Sequence, residues 1–99
     1  MLKINTVQQA NVATITVSGR LDTTTAPQME AEINKLDGAV TELVMDFEEV
    51  EYVSSAGLRV LLSTQKAMSQ KGSMILTHVN ANVMEVFEIT GFSDILTIK

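Results

Sequence analysis

Two adjacent hydroxyls, in Ser54-Ser55-Ala56-Gly57, are the groups in this chain best placed to do chemistry. They stand just before an apolar-periodic run, and only small residues follow them. Capping is one role open to them, since a serine oxygen at a helix start accepts a backbone N–H of the first turn. A second role adds to the first: Ser55, followed by alanine and glycine, offers a hydroxyl that another protein can reach. A phosphate there would bring about −1.5 to −2 charges to a helix N-terminus, where N–H groups accommodate an anion. That would change the surface shown to a partner without unfolding anything. Asp46, Glu48, Glu49 and Glu51 lie just upstream. They read as a solvated acidic segment that would sharpen repulsion of further negative charge.

Catalysis finds less support. The single histidine, His78, falls at the end of an expected strand. Ser55 as a hydrolytic nucleophile needs a base in hydrogen-bond reach, and only His78 could supply one. The serine motif also lacks the leading glycine of a nucleophile elbow. A Gly-rich phosphate loop and a His-Cys cluster are missing, and there is no cysteine. The expectation is a protein that is not an enzyme, with no catalytic residues, no metal and no cofactor.

The 99 residues suit one domain over 1–99, and a 45% apolar fraction is ordinary for a globular chain. Net charge is −5, and the basic residues Lys3, Arg20, Lys35, Arg59, Lys66, Lys71 and Lys99 are dispersed singly. No cluster can neutralise phosphates, so nucleic acid and anionic membrane surfaces are disfavoured as partners. Met1-Leu2-Lys3-Ile4-Asn5 has no leader-like apolar region, and no run nears the ~20 apolar residues of a membrane span. A cytoplasmic setting is expected.

The elements must bring these residues together. Residues 2–7 and 12–18 read as two strands, the second with Ala13, Ile15 and Val17 alternating against polar neighbours, and 8–11 as the hairpin turn. Gly19 to Asp22 reads as a loop. One of Thr23, Thr24 and Thr25 caps a helix with Pro27 in its first turn and Met29, Ile33 and Leu36 on one face. Asp37-Gly38 ends that helix. Leu43 to Phe47 is a central strand, and 48–54 a loop. A second helix carries Leu58, Leu61, Leu62 and Met68 and stops at Gly72. Met74-Ile75-Leu76 is the next strand. Asn80 or Asn82 caps a third helix with Val83, Val86 and Phe87 inward, Gly91 closes it, and Ile95 to Ile98 is a last strand. The order β-β-α-β-α-β-α-β predicts an α/β fold with a mixed, mostly parallel sheet and an N-terminal antiparallel hairpin. Functional loops then lie beyond the carboxyl ends of the central strands, at Gly19 to Thr25 and Glu48 to Gly57.

Those two loops carry a resemblance. Val17-Ser18-Gly19-Arg20-Leu21-Asp22 before a threonine-rich helix start resembles the first signature of the STAS family, the bacterial anti-sigma factor antagonists. Asp46-Phe47 with Tyr52-Val53-Ser54-Ser55-Ala56-Gly57-Leu58-Arg59 resembles the second, and Gly91-Phe92 also fits. The resemblance spans the whole chain. It implies helices packed on one face of the sheet, and an antagonist that binds an anti-sigma factor, itself a serine kinase, to free a sigma factor. Phosphorylation by that kinase would inactivate the antagonist, and a metal-dependent serine phosphatase would restore it. The family's phosphoacceptor falls on Ser55. Ser54 stands where the family motif has an aspartate, and Ala56 where it has a serine. Asp22 matches an acidic loop residue that contacts the kinase in the family. With Thr23, Ser54, Ala56, Gly57 and Arg59 it makes the implied partner face. The alternative is a STAS interaction module of a stress-signalling or lipid-transport complex without reversible phosphorylation. Several relatives carry a fourth helix beyond the residue 95–98 strand, so self-association over a less covered sheet face is a further expectation.

Overall fold

Alternation along the strands separates a buried face of the sheet from an open one. The computed structural model describes residues 2–36 and 38–99. Strands β1 (Lys3–Gln9) and β2 (Val12–Leu21) form the hairpin, with Ala10 at a φ of 56° in its turn. Helix α1 (Ala26–Asn34), strand β3 (Glu42–Val53), helix α2 (Ser55–Ser69), strand β4 (Ser73–Thr77) and helix α3 (Ala81–Thr90) follow. The sheet order is β1-β2-β3-β4, antiparallel between the first two strands and parallel in the other pairs. This is the expected α/β architecture.

Register fixes which side chains share the core. Ala13 pairs with Leu43, and Leu43 with Met74; Ile15 pairs with Met45, and Met45 with Leu76. All six are buried, together with Val17 and Phe47. Met29 of α1, Leu58, Leu61 and Met68 of α2, and Val83 and Phe87 of α3 complete this core. The other face carries Thr14, Thr16, Val44, Asp46, Ile75 and Thr77, none of them buried. Two parallel crossovers running the same way along the sheet set α1 and α2 on one side, as right-handedness requires.

The structure corrects the sequence expectations at several element ends and, at α3, selects one of the two caps expected. Gly19 to Leu21 and residues 48–53 are strand rather than loop, so β2 and β3 run almost to the helices they feed. The cause is two irregularities in register: Thr16 and Ser18 face Asp46 and Glu49, while Gly19 and Arg20 face Val50 and Tyr52. Each adds one residue to β3, and so breaks the period-2 signal there. Ile95 to Ile98 is not a full strand; a 3₁₀ turn at Phe92–Asp94 is followed by a single parallel bridge from Leu76 to Ile98. The α1 N-cap is Thr25, but its side chain makes no capping bond. At α3, Asn80 and not Asn82 is the cap, its carbonyl oxygen accepting from Val83 N at 2.9 Å. Asp37, expected at the end of α1, lies outside the described residues, while α1 already closes at Lys35.

Candidate functional site

Ser54 and Ser55 divide the two roles open to them. Ser54 is the N-cap of α2: its Oγ accepts from Gly57 N at 3.3 Å, and its own N–H donates to Leu21 O at 2.8 Å. Ser55 is the first helical residue and is exposed. Among the described residues no partner holds its hydroxyl, so the nucleophilic oxygen stands free in solvent beside the N–H end of the helix. Arg59, one turn further on and exposed, also makes no ion pair among the described residues. The i,i+4 spacing places its cation on the Ser55 side of the helix.

Gly57 has a different reason to be there. It is buried, and a Cβ added to it would lie 2.7 Å from Leu21 Cγ and 2.9 Å from Leu21 O. The first turn of α2 therefore rests directly on the end of β2, a closeness only glycine allows. Through that contact the two connections meet. Leu21 O receives the Ser54 N–H, and Asp22 is the next residue.

Asp22 organises the turn from β2 into α1. Its Oδ1 accepts from Thr24 Oγ1 at 2.8 Å, Thr24 N at 3.0 Å and Thr25 N at 3.1 Å. Thr25 Oγ1 accepts from Asp22 N at 2.8 Å and donates to Arg20 O at 2.7 Å, which explains why it is not free to cap the helix. The Thr24 hydroxyl, then the backbone N–H groups of Thr25 and Thr24 and the Thr25 hydroxyl, hold the Asp22 carboxyl below its ordinary value of 3.8; partial desolvation opposes them. Arg20 Nε lies 3.7 Å from Asp22 Oδ2, and the same guanidinium stands 4.5 Å over the ring of Tyr52.

Between α1 and α2 runs a groove of about 450 Å³. Thr23, Ala26, Pro27 and Glu30 form one wall, and Ala56, Arg59, Val60 and Ser63 the other. A second hollow of about 240 Å³ continues it along the same helices, sharing Glu30 and Ser63. Thr23, Ala56 and Arg59 thus line one concavity that begins at the α2 N-terminus. Asp22, Ser54 and Gly57 are not among its lining residues: Asp22 precedes Thr23 in the β2–α1 turn, Ser54 caps α2, and Gly57 packs against Leu21. The sequence marked Pro27 only as part of a helix start, and did not single out Glu30, Val60, Ser63 or the Arg20–Tyr52 stack. They become a surface only through the packing of two helices and the shifted register of β3, neither of which leaves a local signature.

The STAS domain family model matches residues 3–99. BtrV of Bordetella bronchiseptica, named as a candidate anti-sigma factor antagonist, is 37% identical over 84 residues, spanning 83% of this chain and 72% of its own length. An anti-sigma-B factor antagonist of Staphylococcus aureus is 30% identical over 101 aligned positions, covering 99% of this chain and 93% of that protein. Among solved structures, an anti-sigma factor antagonist from Mycobacterium paratuberculosis has a TM-score of 0.88 at 22% identity, over 99% of this chain and 85% of the other. SpoIIAA of Bacillus in its phosphorylated form has a TM-score of 0.73 at 22% identity, over 100% of this chain and 91% of that one. The likeness to these two structures is one of fold. No helix among the described residues is long and apolar enough to cross a membrane.

Proposed function

The chain belongs to the STAS domain family, and on that premise we propose that it is an anti-sigma factor antagonist switched by phosphorylation of Ser55. The observation that carries this reading is the state of the Ser55 hydroxyl: exposed, without a hydrogen-bond partner among the described residues, and at the first position of α2, directly before Ala56, which lines the α1–α2 groove. In its unmodified state the protein binds an anti-sigma factor with serine kinase activity, and so releases a sigma factor in the cytoplasm. Thr23, Ser54, Ala56 and Arg59 supply the contact surface, Asp22 shapes the turn beside it, and Gly57 sets the height of the helix. The kinase transfers a phosphoryl group to Ser55 Oγ, and a metal-dependent serine phosphatase removes it. The names of the Bordetella and Staphylococcus relatives support the antagonist role, and the phosphorylated SpoIIAA structure supports the modification.

The step asks nothing of this chain beyond presenting a hydroxyl. The base and the nucleotide belong to the partner, in keeping with a Ser55 hydroxyl that hydrogen-bonds to no side chain among the described residues. Incubation with the cognate anti-sigma kinase and ATP, followed by mass-spectrometric mapping, tests the assignment. A single phosphate on Ser55 is expected. No phosphate, from a kinase active on another substrate, would favour an interaction module without reversible phosphorylation. A phosphate on Ser54 would move the switch by one residue. Ser54 takes the place of an acidic residue in the family motif, which gives both outcomes a physical basis.

A further inference from the structure

Asp46, Glu48 and His78 come together on the open face of the sheet, on the opposite side from the core that holds α2. Asp46 is at the end of the β3–β4 ladder, where it pairs with Thr77. His78 follows Thr77 and has a φ of 57°, which turns its ring back over the sheet, and its Nδ1 lies 3.1 Å from Asp46 Oδ1. Glu48 enters through the first register shift of β3, with its N–H donating to Asp46 Oδ1 at 3.0 Å. One donor atom from each of the three side chains falls within 4.8 Å of the others. No lysine or arginine pairs with Asp46 or Glu48 among the described residues.

We propose that Asp46, Glu48 and His78 bind a divalent transition-metal ion of the zinc or cobalt type. Donor chemistry selects the ion. One imidazole nitrogen with two carboxylates suits borderline metals, whereas calcium and magnesium favour sites made of oxygen alone. The spacing agrees: ligands about 2.0–2.1 Å from a shared ion lie roughly 3 Å apart, the separation already held by His78 Nδ1 and Asp46 Oδ1. Glu48 is exposed, so its side chain can swing to close the third side, and water fills the remaining positions. The net charge of −5 favours a cation over an anion here. A bound ion would tie the β4–α3 connection to β3, a junction that Asn80 already links by donating to Val50 O at 2.6 Å. The site is independent of the Ser55 switch.

The test uses the protein without a histidine tag. Cobalt(II) is titrated while visible absorption is followed, and zinc(II) while heat and melting temperature are followed. One ion per chain, a cobalt d–d band removed by chelator and a zinc-dependent rise in melting temperature are expected. His78→Asn keeps a residue that tolerates positive φ, so it folds as the parent does. It should weaken binding by more than the ~10-fold that loss of even an outer partner of a ligand costs. Glu48→Gln, an exposed change, should weaken binding in the same direction. No binding at millimolar cobalt, or binding unchanged in His78→Asn, would overturn the assignment.

Discussion

At Ser55 a phosphate changes charge more than shape. It adds about −1.5 to −2 charges at a position where the N–H groups of the α2 first turn and the Arg59 cation are at hand. Release of a partner by a hundredfold needs only ~2.8 kcal/mol, and like charges forced together at an interface cost several. Ser55→Ala is therefore expected to bind the anti-sigma partner as the parent does and to resist inactivation, and Ser55→Asp to bind weakly; equilibrium titration of both variants measures the difference, and equal affinities would count against a charge switch. Asp22 gives a second residue-scale expectation. Its carboxyl is held below 3.8 in the folded chain, so its stabilising bonds are fully present above that pH and are lost as pH falls through the lowered folded value. Melting curves of Asp22→Ala and the parent should differ near neutral pH and converge in strong acid. A constant gap across that range would mean that the carboxylate charge is not what holds the turn.

The elements position these residues through a few close contacts. Gly57 lets α2 rest on Leu21, and the same leucine carbonyl receives the Ser54 N–H. Gly57→Ala must push the helix off the end of β2, because both the backbone oxygen and the side chain of Leu21 stand in the way. A loss of roughly 1–3 kcal/mol of stability is expected by analogy with overpacked cores, with weakened partner binding even though Ser55 is untouched. Denaturant unfolding beside a binding assay separates the two effects, and an unchanged midpoint would show that the helix tolerates the shift. Deeper along the same helix, Leu61 has no exposed surface. Leu61→Ala should cost ~2–5 kcal/mol, and a change below about 0.5 kcal/mol would mean that this face does not pack on the sheet.

At the scale of the whole molecule, the sheet has one face packed and one open. On the open face the register lines up Val7, Thr14, Val44 and Ile75 in one row, with Thr16, Asp46 and Thr77 in the row beside it, so polar side chains interrupt the apolar ones. Sedimentation across a range of concentrations tests the expected self-association over that face: a concentration-dependent dimer would support it, and a monomer throughout would count against it. Much of this architecture was legible from residues. The alternation of Ala13, Ile15 and Val17 marked a half-buried strand. Met29, Leu61 and Phe87 marked inward helix faces, and all six lie in the core. Met68 and Met74, expected as core filler, are buried as well. The extension of β3 was not legible, because its register shifts turn Glu48-Glu49 and Glu51-Tyr52 into an apparently polar, aperiodic stretch. Nor was the company of His78, whose contact with Asp46 depends on a positive φ and a strand pairing 32 residues away. The free hydroxyl of Ser55 and the capping role of Ser54 were legible as alternatives, and geometry assigned one to each residue.

The most direct test of the switch is to titrate the anti-sigma partner with the unmodified chain and with the same chain stoichiometrically phosphorylated at Ser55. The account predicts tight binding by the first and at least ~100-fold weaker binding by the second, a gap of ~2.8 kcal/mol. Equal affinity of the two forms would contradict it.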